Sequence, residues 1–224
     1  MRVLSLQEAR ALEANEWFGL LGDEVKADLL QHSAVLRLPA GRTVSSQGSV
    51  PEVWCAVAAG AVQVCTRSDA GAEVVLDLLE PGQWFGDVPL LSQRRLPYSV
   101  RTWQPSTLLL MRRNALLQVC ARHPSLPPAL AELNWELAQR IGQRACDQVE
   151  TSTLQRTFGS LRALGQRFGT RVADGVRIEM PLTQSELARL AGSSRQRVNE
   201  ALAQLQLQGR IRRGPGYIDL PQPR

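Results

Sequence analysis

The 224-residue sequence predicts an α+β chain built in three successive parts, on three observations. Short apolar runs separated by glycine fill Val35 to Met111. A single apolar stripe at steps of three and four runs from Leu126 to Val149. Thr183 to Leu220 then spells two short capped helices followed by a basic hairpin. Repeated short strands with turns between them read as an antiparallel barrel or sandwich, and the change from period two to period 3.6 marks a change of architecture.

The strands fall at Val35–Leu38, Val53–Val57, Ala61–Cys65, Val74–Leu79 and Thr107–Met111, punctuated by Gly41, Gly48, Gly60, Gly71, Gly82 and Gly86. Asp69-Ala70-Gly71, between two apolar runs, is the clearest hairpin turn.

The helical stripe consists of Leu126, Leu130, Leu133, Leu137, Ile141, Ala145 and Val149, and Pro124, Pro127 and Pro128 sit at its start, where proline is tolerated. Such a helix either packs on the barrel or forms a coiled-coil-like seam between two subunits. The seam is expected, through Leu130, Leu133, Leu137, Ile141 and Ala145. A two-fold protein can place two recognition helices one DNA turn apart, about 34 Å.

Thr183 followed by Glu186 predicts a capping box, and Leu187, Leu190 and Ala191 give that helix one apolar face. Gly192 breaks it, and Ser193 with Gln196 predicts a second capping box; two short helices joined by a glycine-containing turn form a helix-turn-helix. The second helix is expected to turn Val198, Ala201, Leu202, Leu205 and Leu207 inward and to end at Gln208-Gly209. Its other face carries Ser194, Arg195, Gln196, Arg197, Asn199 and Glu200, with Thr183 and Gln184 at the start of the first helix completing the set expected to face DNA. Arg bonds guanine bidentately, Asn and Gln match adenine, and Ser near a helix N-terminus binds phosphate. Arg210 to Ile218 reads as a hairpin around Gly-Pro-Gly, a wing whose Arg212 and Arg213, with Arg197, suit phosphate contacts.

Charge is distributed accordingly. From Arg156 onward there are 12 arginines and 5 acidic residues, net +7, while the preceding residues, with 14 basic and 16 acidic, carry −2. The basicity is concentrated where phosphate contacts would lie. Lys26 is the sole lysine among 26 basic residues, so the arginine excess reflects coding bias as well as guanidinium chemistry.

Several classes are excluded. No apolar run is long enough to span a bilayer and the N-terminus lacks a signal-peptide pattern, so a cytoplasmic location is expected. Cys55, Cys65, Cys120 and Cys146 are far apart without a CxxC pair and are expected to be buried free thiols. His32 and His123 are isolated, which rules out a multi-histidine metal site. With no phosphate loop, GxSxG or HExxH, the chain is not expected to be an enzyme. The rival classes are an effector-binding module that does not read DNA and a small β-barrel enzyme with an appended helical domain.

The glycine-punctuated strands, Pro81-Gly82-Gln83-Trp84-Phe85-Gly86-Asp87, the long helix and LTQSELARLAGSSRQRVNEAL together resemble the CRP/FNR family of bacterial transcription regulators, from Phe18 to Leu220. The family pattern Gly-x-Ser-Arg-x-x-Val is matched by Gly192, Ser194, Arg195 and Val198. The resemblance implies a β-roll sensor of cyclic-nucleotide-binding type, jelly-roll-like, over residues 1–125. It implies a dimerisation helix over 126–152 and a winged helix-turn-helix over 153–224. It also implies a homodimer on palindromic promoter DNA that contacts or blocks RNA polymerase.

The chain departs from that family at the effector pocket. Cyclic-AMP-binding members follow a Gly-Glu with an Arg-Ser or Arg-Thr pair for the cyclic phosphate. Here Gly86 precedes Asp87, and Arg94-Arg95-Leu96-Pro97-Tyr98-Ser99 puts Leu96-Pro97 about where the pair belongs. Ile141-Gly142, which would meet the base, offers no side-chain hydrogen bond. The pocket candidates are Gly86, Asp87, Val88, Arg94, Arg95 and Ser99, and cyclic AMP in the usual mode is not expected. Residues 1–54 contain no cysteine, which excludes the family's N-terminal iron–sulfur cluster; for haem, His32 or a cysteine stands alone as an axial ligand. An unknown small effector, a different nucleotide and a degenerate pocket with constitutive DNA binding all stay open. In the reading helix, Gln196 replaces an acidic residue and Glu200 an arginine of the cyclic-AMP receptor type, so Arg195 is expected to read guanine in a different half-site.

Overall fold

A computed structural model describes residues 3–67, 73–150, 152–179 and 182–222, with the side chains of 144, 145 and 147–150 outside the description. The expected Asp69-Ala70-Gly71 turn lies outside the described residues. The chain is α+β and divides into two compact units, Met1–Ala72 with Leu76–Ile141 and Gly142–Arg224 with Glu73–Val75.

In the first unit α1 (Leu6–Glu13), α2 (Glu16–Gly19) and α3 (Asp23–Gln31) lead into strands β1 (Ala34–Leu38), β2 (Thr43–Ser45), β3 (Val53–Ala59), β4 (Val62–Arg67), β5 (Glu73–Leu79) and β6 (Trp84–Phe85). Helix α4 (Asp87–Ser92) follows, then β7 (Ser99–Thr102), β8 (Ser106–Arg112), α5 (Arg113–Arg122) and the long α6 (Leu126–Glu150). The strands form two four-stranded sheets, β1-β8-β3-β6 and β2-β7-β4-β5. The antiparallel register Trp54↔Met111, Cys55↔Leu110, Ala56↔Leu109 and Val57↔Leu108 explains the unbroken apolar run in β3. Cys55 and Val57 point between the sheets with Val62, Val64, Phe85, Val100 and Leu108. Trp54, Ala56 and Ala58 point the other way, into a helical layer with Trp17, Phe18, Trp84, Leu116 and Leu126. A strand covered on both faces loses the polar alternation of a half-exposed one.

That helical layer is centred on aromatic rings. The ring centroids of Trp54 and Trp84 are 4.3 Å apart, Phe18 stacks on Trp84 at 5.5 Å, and Trp17 donates its indole N–H to the Ala129 carbonyl at 2.6 Å. The same layer takes Leu126, Leu130 and Leu133 of α6.

Two residues of the expected dimer seam lie in the chain's own core. Leu130 is 4% and Leu133 7% exposed in the chain's own core, Leu137 and Ile141 are half-buried, and the side chain of Ala145 is outside the description. Beyond Pro128 the exposed residues described on α6 are Ala131, Glu132, Trp135, Glu136, Ala138, Gln139, Gly142, Gln143 and Cys146. Cys146 therefore also departs from the expectation of buried thiols; Cys55 and Cys65 are buried and Cys120 half-buried.

The two histidines, isolated in sequence, both bond to Asp28, His123 to its carboxylate and His32 to its backbone carbonyl. His123 donates from Nε2 to Asp28 Oδ2 at 2.8 Å, Arg122 lies 2.8 Å from the same oxygen, and His32 donates from Nδ1 to the Asp28 carbonyl at 2.8 Å. Among the described residues no group of three or more His, Cys, Asp and Glu is arranged to hold a metal ion. No described helix is long and apolar enough to cross a membrane.

The second unit contains α7 (Thr153–Phe168), β9 (Thr170–Val172), β10 (Gly175–Ile178), α8 (Gln184–Leu190), α9 (Arg195–Leu207), β11 (Arg212–Gly214) and β12 (Tyr217–Pro221). Its sheet has the order β11-β12-β10-β9. The wing is thus four-stranded, and its second hairpin turns at Ala173-Asp174, beside Gly175. Leu161 and Leu164 of α7, Leu187 of α8 and Val198, Leu202 and Leu205 of α9 are buried. Leu207, expected inward, is 89% exposed, because two residues beyond Leu205 a helix has turned about 200°.

Candidate nucleic-acid interface

Thr183 caps α8 through the expected box. Its hydroxyl accepts from the Glu186 amide at 3.2 Å while its own amide donates to Glu186 Oε2 at 2.7 Å. The turn that follows is set by Gly192 at φ +56°, where the Gly192 amide reaches the Arg189 carbonyl and the Ser193 amide the Ala188 carbonyl. This Schellman closure consumes Ser193, so the cap moves one residue on. Ser194 is the N-cap of α9, its Oγ accepting from the Arg197 amide at 3.3 Å, and the expected Ser193–Gln196 box is not formed. Arg156 of α7 donates to the Ala191 carbonyl at 2.8 Å and so satisfies the end of α8.

The first two turns of α9 then present Arg195, Gln196, Arg197 and Glu200 to solvent, with Asn199 half-buried. Gln184 joins the two helices: its Oε1 accepts from Arg195 Nε at 3.1 Å and from Asn199 Nδ2 at 3.0 Å. A guanidinium held at Nε keeps its terminal nitrogens free for a bidentate acceptor such as the guanine edge. Gln196 donates to Glu200 Oε1 at 3.2 Å, which ties the two departures from the cyclic-AMP receptor pattern together.

The two wing arginines do not act alike. Alternation along β11 turns Arg213 toward Thr183, Gln184 and Tyr217, where a small hollow of about 300 Å³ opens at the start of α8. Arg212 faces the opposite side and bonds Asp174 at 3.1 Å. Behind the wing, Arg177 holds Asp219 through two bonds of 2.7 and 2.9 Å, and its guanidinium lies 4.0 Å over the Tyr217 ring. That pairing keeps the Asp219 carboxyl below the usual carboxylate range and raises Arg177 further. Asp174-Gly175 was the available sequence signal for this part of the wing, an Asp-Gly between two valine-containing runs.

The candidate effector residues are dispersed. Gly86, at φ +91°, lets the chain enter α4, a conformation that favours glycine. Asp87 is 2% exposed and accepts from Asn134 Nδ2 of α6 at 2.6 Å; burial pushes its carboxyl up despite that bond. Val88 is half exposed. Arg94 and Arg95 are exposed, Arg95 donating to the Gly48 carbonyl at 2.7 Å, and Ser99 Oγ accepts from the Gln47 amide at 2.9 Å. The inward positions of that loop belong to Leu96, 3% exposed, and to Tyr98, which packs on the apolar residues between the sheets and whose phenol burial raises to about 12. Neither arginine is turned inward to hold a cyclic phosphate.

Residues 35–123 match the cyclic nucleotide-binding domain family, and residues 155–224 match the Crp-like helix-turn-helix domain family. The chain is 30% identical over 174 residues to the CRP-like cAMP-activated global transcriptional regulator of Mycobacterium tuberculosis, covering 78% of each. It is 30% identical over 209 residues to the cyclic AMP receptor protein of Thermus thermophilus, covering 90% of each. Its fold is similar to that of the c-di-GMP-responsive global regulator CLP of Xanthomonas campestris, with a TM-score of 0.77 at 22% identity over 90% of this chain and 100% of that one. A cyclic nucleotide-binding-type sheet domain followed by a Crp-like DNA-binding domain makes this chain a member of the CRP/FNR family of transcription regulators.

Proposed function

We propose that the protein is a homodimeric transcription regulator of the bacterial cytoplasm that reads palindromic promoter DNA and contacts or occludes RNA polymerase there. Its functional parts are a sensor over 1–125, a dimerisation helix over 126–152 and a DNA reader over 153–224. The observation that carries the reading is Gln184 gripping both Arg195 and Asn199 at the N-terminal end of a Ser194-capped helix. Two groove-reading side chains are thereby oriented in advance, which lowers the ordering cost on binding. Arg195 reads a guanine, Asn199 and Gln196 line the same groove with Glu200, and Thr183, Arg197 and Arg213 meet phosphate. Arg212, turned away, is removed from the DNA-facing set.

The subunits pair along α6 through Ala131, Trp135, Ala138, Gly142 and Cys146, a stripe at steps of three and four that is exposed in the chain. The effector is not cyclic AMP in the usual mode, since Leu96 and Tyr98 take the inward positions. The M. tuberculosis and T. thermophilus relatives are named for cyclic AMP and the X. campestris one for c-di-GMP. Selection of binding sites from a random duplex pool, without ligand and with each of these nucleotides, tests the reading. A palindrome enriched without ligand supports it. Enrichment only with cyclic AMP overturns the effector argument, and no enrichment in any arm leaves an effector-binding module and removes the DNA reader.

A further inference from the structure

We infer that the winged-helix unit carries a ligand site of its own, a cleft for an organic anion with an apolar or aromatic body. The cleft, open to solvent on one side, has a volume of about 790 Å³ between α7, the end of α9 and the wing strands. Small-molecule pockets fall in the range of about 300–1,000 Å³ and combine apolar walls with a few convergent polar groups. Phe158, Val176 and Leu220 line it, and Arg162, Arg210 and Arg212 edge it. Among the described residues its lining contains no carboxylate. Arg212 has Asp174 as a neighbour, on the exposed surface, whereas no described carboxylate pairs with Arg162 or Arg210. The Arg210 guanidinium carbon lies 3.7 Å from the centre of the Phe158 ring, a cation–π contact that leaves its N–H groups available to an acceptor.

Two features separate this cleft from the DNA contact. It adjoins Gln208 and Gly209, at the C-terminal end of the 13-residue α9, so it lies about 20 Å along the axis from the Ser194 cap. Its apolar walls offer nothing to a sugar-phosphate backbone, and they match the flat or acyl body of a small amphiphile. The two ends of one helix can therefore be occupied together, by DNA at its start and by an anionic ligand at its close.

The test is fluorescence titration of the full-length protein with 8-anilinonaphthalene-1-sulfonate, which joins an aromatic body to one negative charge. Its uncharged counterpart N-phenyl-1-naphthylamine and sulfate alone form the comparison arms. Saturable binding of the sulfonate at one site per chain is expected. Arg162→Glu should weaken it about tenfold or more, as the loss of one charge-assisted contact implies, with Arg162→Lys between the two. Gln166→Trp, which places an indole at the cleft's mouth, should abolish it, and Leu20→Gln, which removes an exposed apolar side chain of the first unit, should leave it unchanged. Thermal melts of each variant, compared with the native chain, check that it remains folded. Binding indifferent to both Arg162→Glu and Gln166→Trp overturns the site. Equal affinity for the uncharged compound overturns the anion, and sulfate binding as tightly as the sulfonate overturns the apolar body.

Discussion

Asp87 at the start of α4 and Asn134 in the middle of α6 are joined by a 2.6 Å hydrogen bond, with Asn134 also donating to the Leu130 carbonyl at 2.7 Å. The short helix that begins at Gly86 is thereby tied to the long helix through a buried carboxyl. Asn134→Ala should cost about 1–3 kcal/mol in urea unfolding, because the acceptor stays buried without its donor. Asp87→Ala together with Asn134→Ala should cost less than the two singles combined, and strict additivity would show that the pair does not interact.

The same carboxyl has a pH dependence of defined sign. Its folded pKa is raised by burial, so the protonated form is the one the fold favours. Its contribution is fully present below the unfolded value, about 3.9, and is lost as pH rises through the folded value. Asp87→Asn does not titrate. The stability of the native chain relative to this variant should therefore fall as pH rises above about 4, as read by unfolding at a series of pH values; a constant difference would refute it.

Asp219 should behave in the opposite way. Arg177 holds its carboxyl below the unfolded value, so its contribution is present above about pH 3.9 and is lost as pH falls through the lower folded value. Asp219→Asn should leave the wing unchanged in that acid range and loosen it at neutral pH, seen as faster amide exchange of Arg212 to Tyr217. Equal exchange in the two proteins at neutral pH would show the pair to be idle.

Much of the DNA-facing unit is legible in the sequence because its determinants are local. Thr183 with Glu186 fixes the start of α8, and Val198, Ala201, Leu202 and Leu205 mark the inner side of α9 by spacing alone. The errors arise where a distant group decides. Ser193 and Ser194 are equivalent as caps until the left-handed Gly192 commits one of them to closing α8. Leu130 and Leu133 fit either a seam or a core, and the choice was made by Trp17, Trp54 and Trp84 over a hundred or dozens of residues away. His32 and His123 meet at Asp28 only because α3 packs on α5. Leu96-Pro97 was visible as a departure from a pattern, but the inward packing of Leu96 and Tyr98 was not.

Arg195 and Gln184 make a linked prediction for specificity. Arg195→Ala should cost about 1–3 kcal/mol on the preferred site and relax the choice at one base pair, since a bidentate contact to guanine is lost. Gln184→Ala removes only the support, so it should weaken discrimination at that same base pair by less. Affinity for each of the four base pairs at every half-site position reads both effects. Uniform weakening on all sequences would assign Arg195 to the backbone instead.

On the wing, Arg213→Ala should reduce the slope of log affinity against log salt by about one, the signature of one lost phosphate contact, and Arg212→Ala should leave the slope nearly unchanged. The difference follows from strand alternation, which sends Arg213 toward Thr183 and Gln184 and Arg212 toward Asp174. Equal slopes for the two variants would show that the wing reorients on DNA.

On α6, loss of a core leucine and a charge at the exposed tryptophan should have different outcomes. Leu130 and Leu133 are buried within one chain, whereas Trp135, two residues beyond Leu133 and so about 200° round the helix, is 67% exposed. Truncating a core leucine typically costs about 2–5 kcal/mol, so Leu130→Ala should lower the unfolding midpoint of the protein at any concentration. Trp135→Glu removes no core contact and sets a charge on the Ala131, Ala138 and Gly142 face of the helix, where its symmetry mate would carry another. It should leave the monomer folded and shift sedimentation from dimer to monomer at micromolar concentration. A dimer that survives Trp135→Glu but dissociates with Leu137→Glu would return the seam to the half-buried side of α6, next to the sensor core.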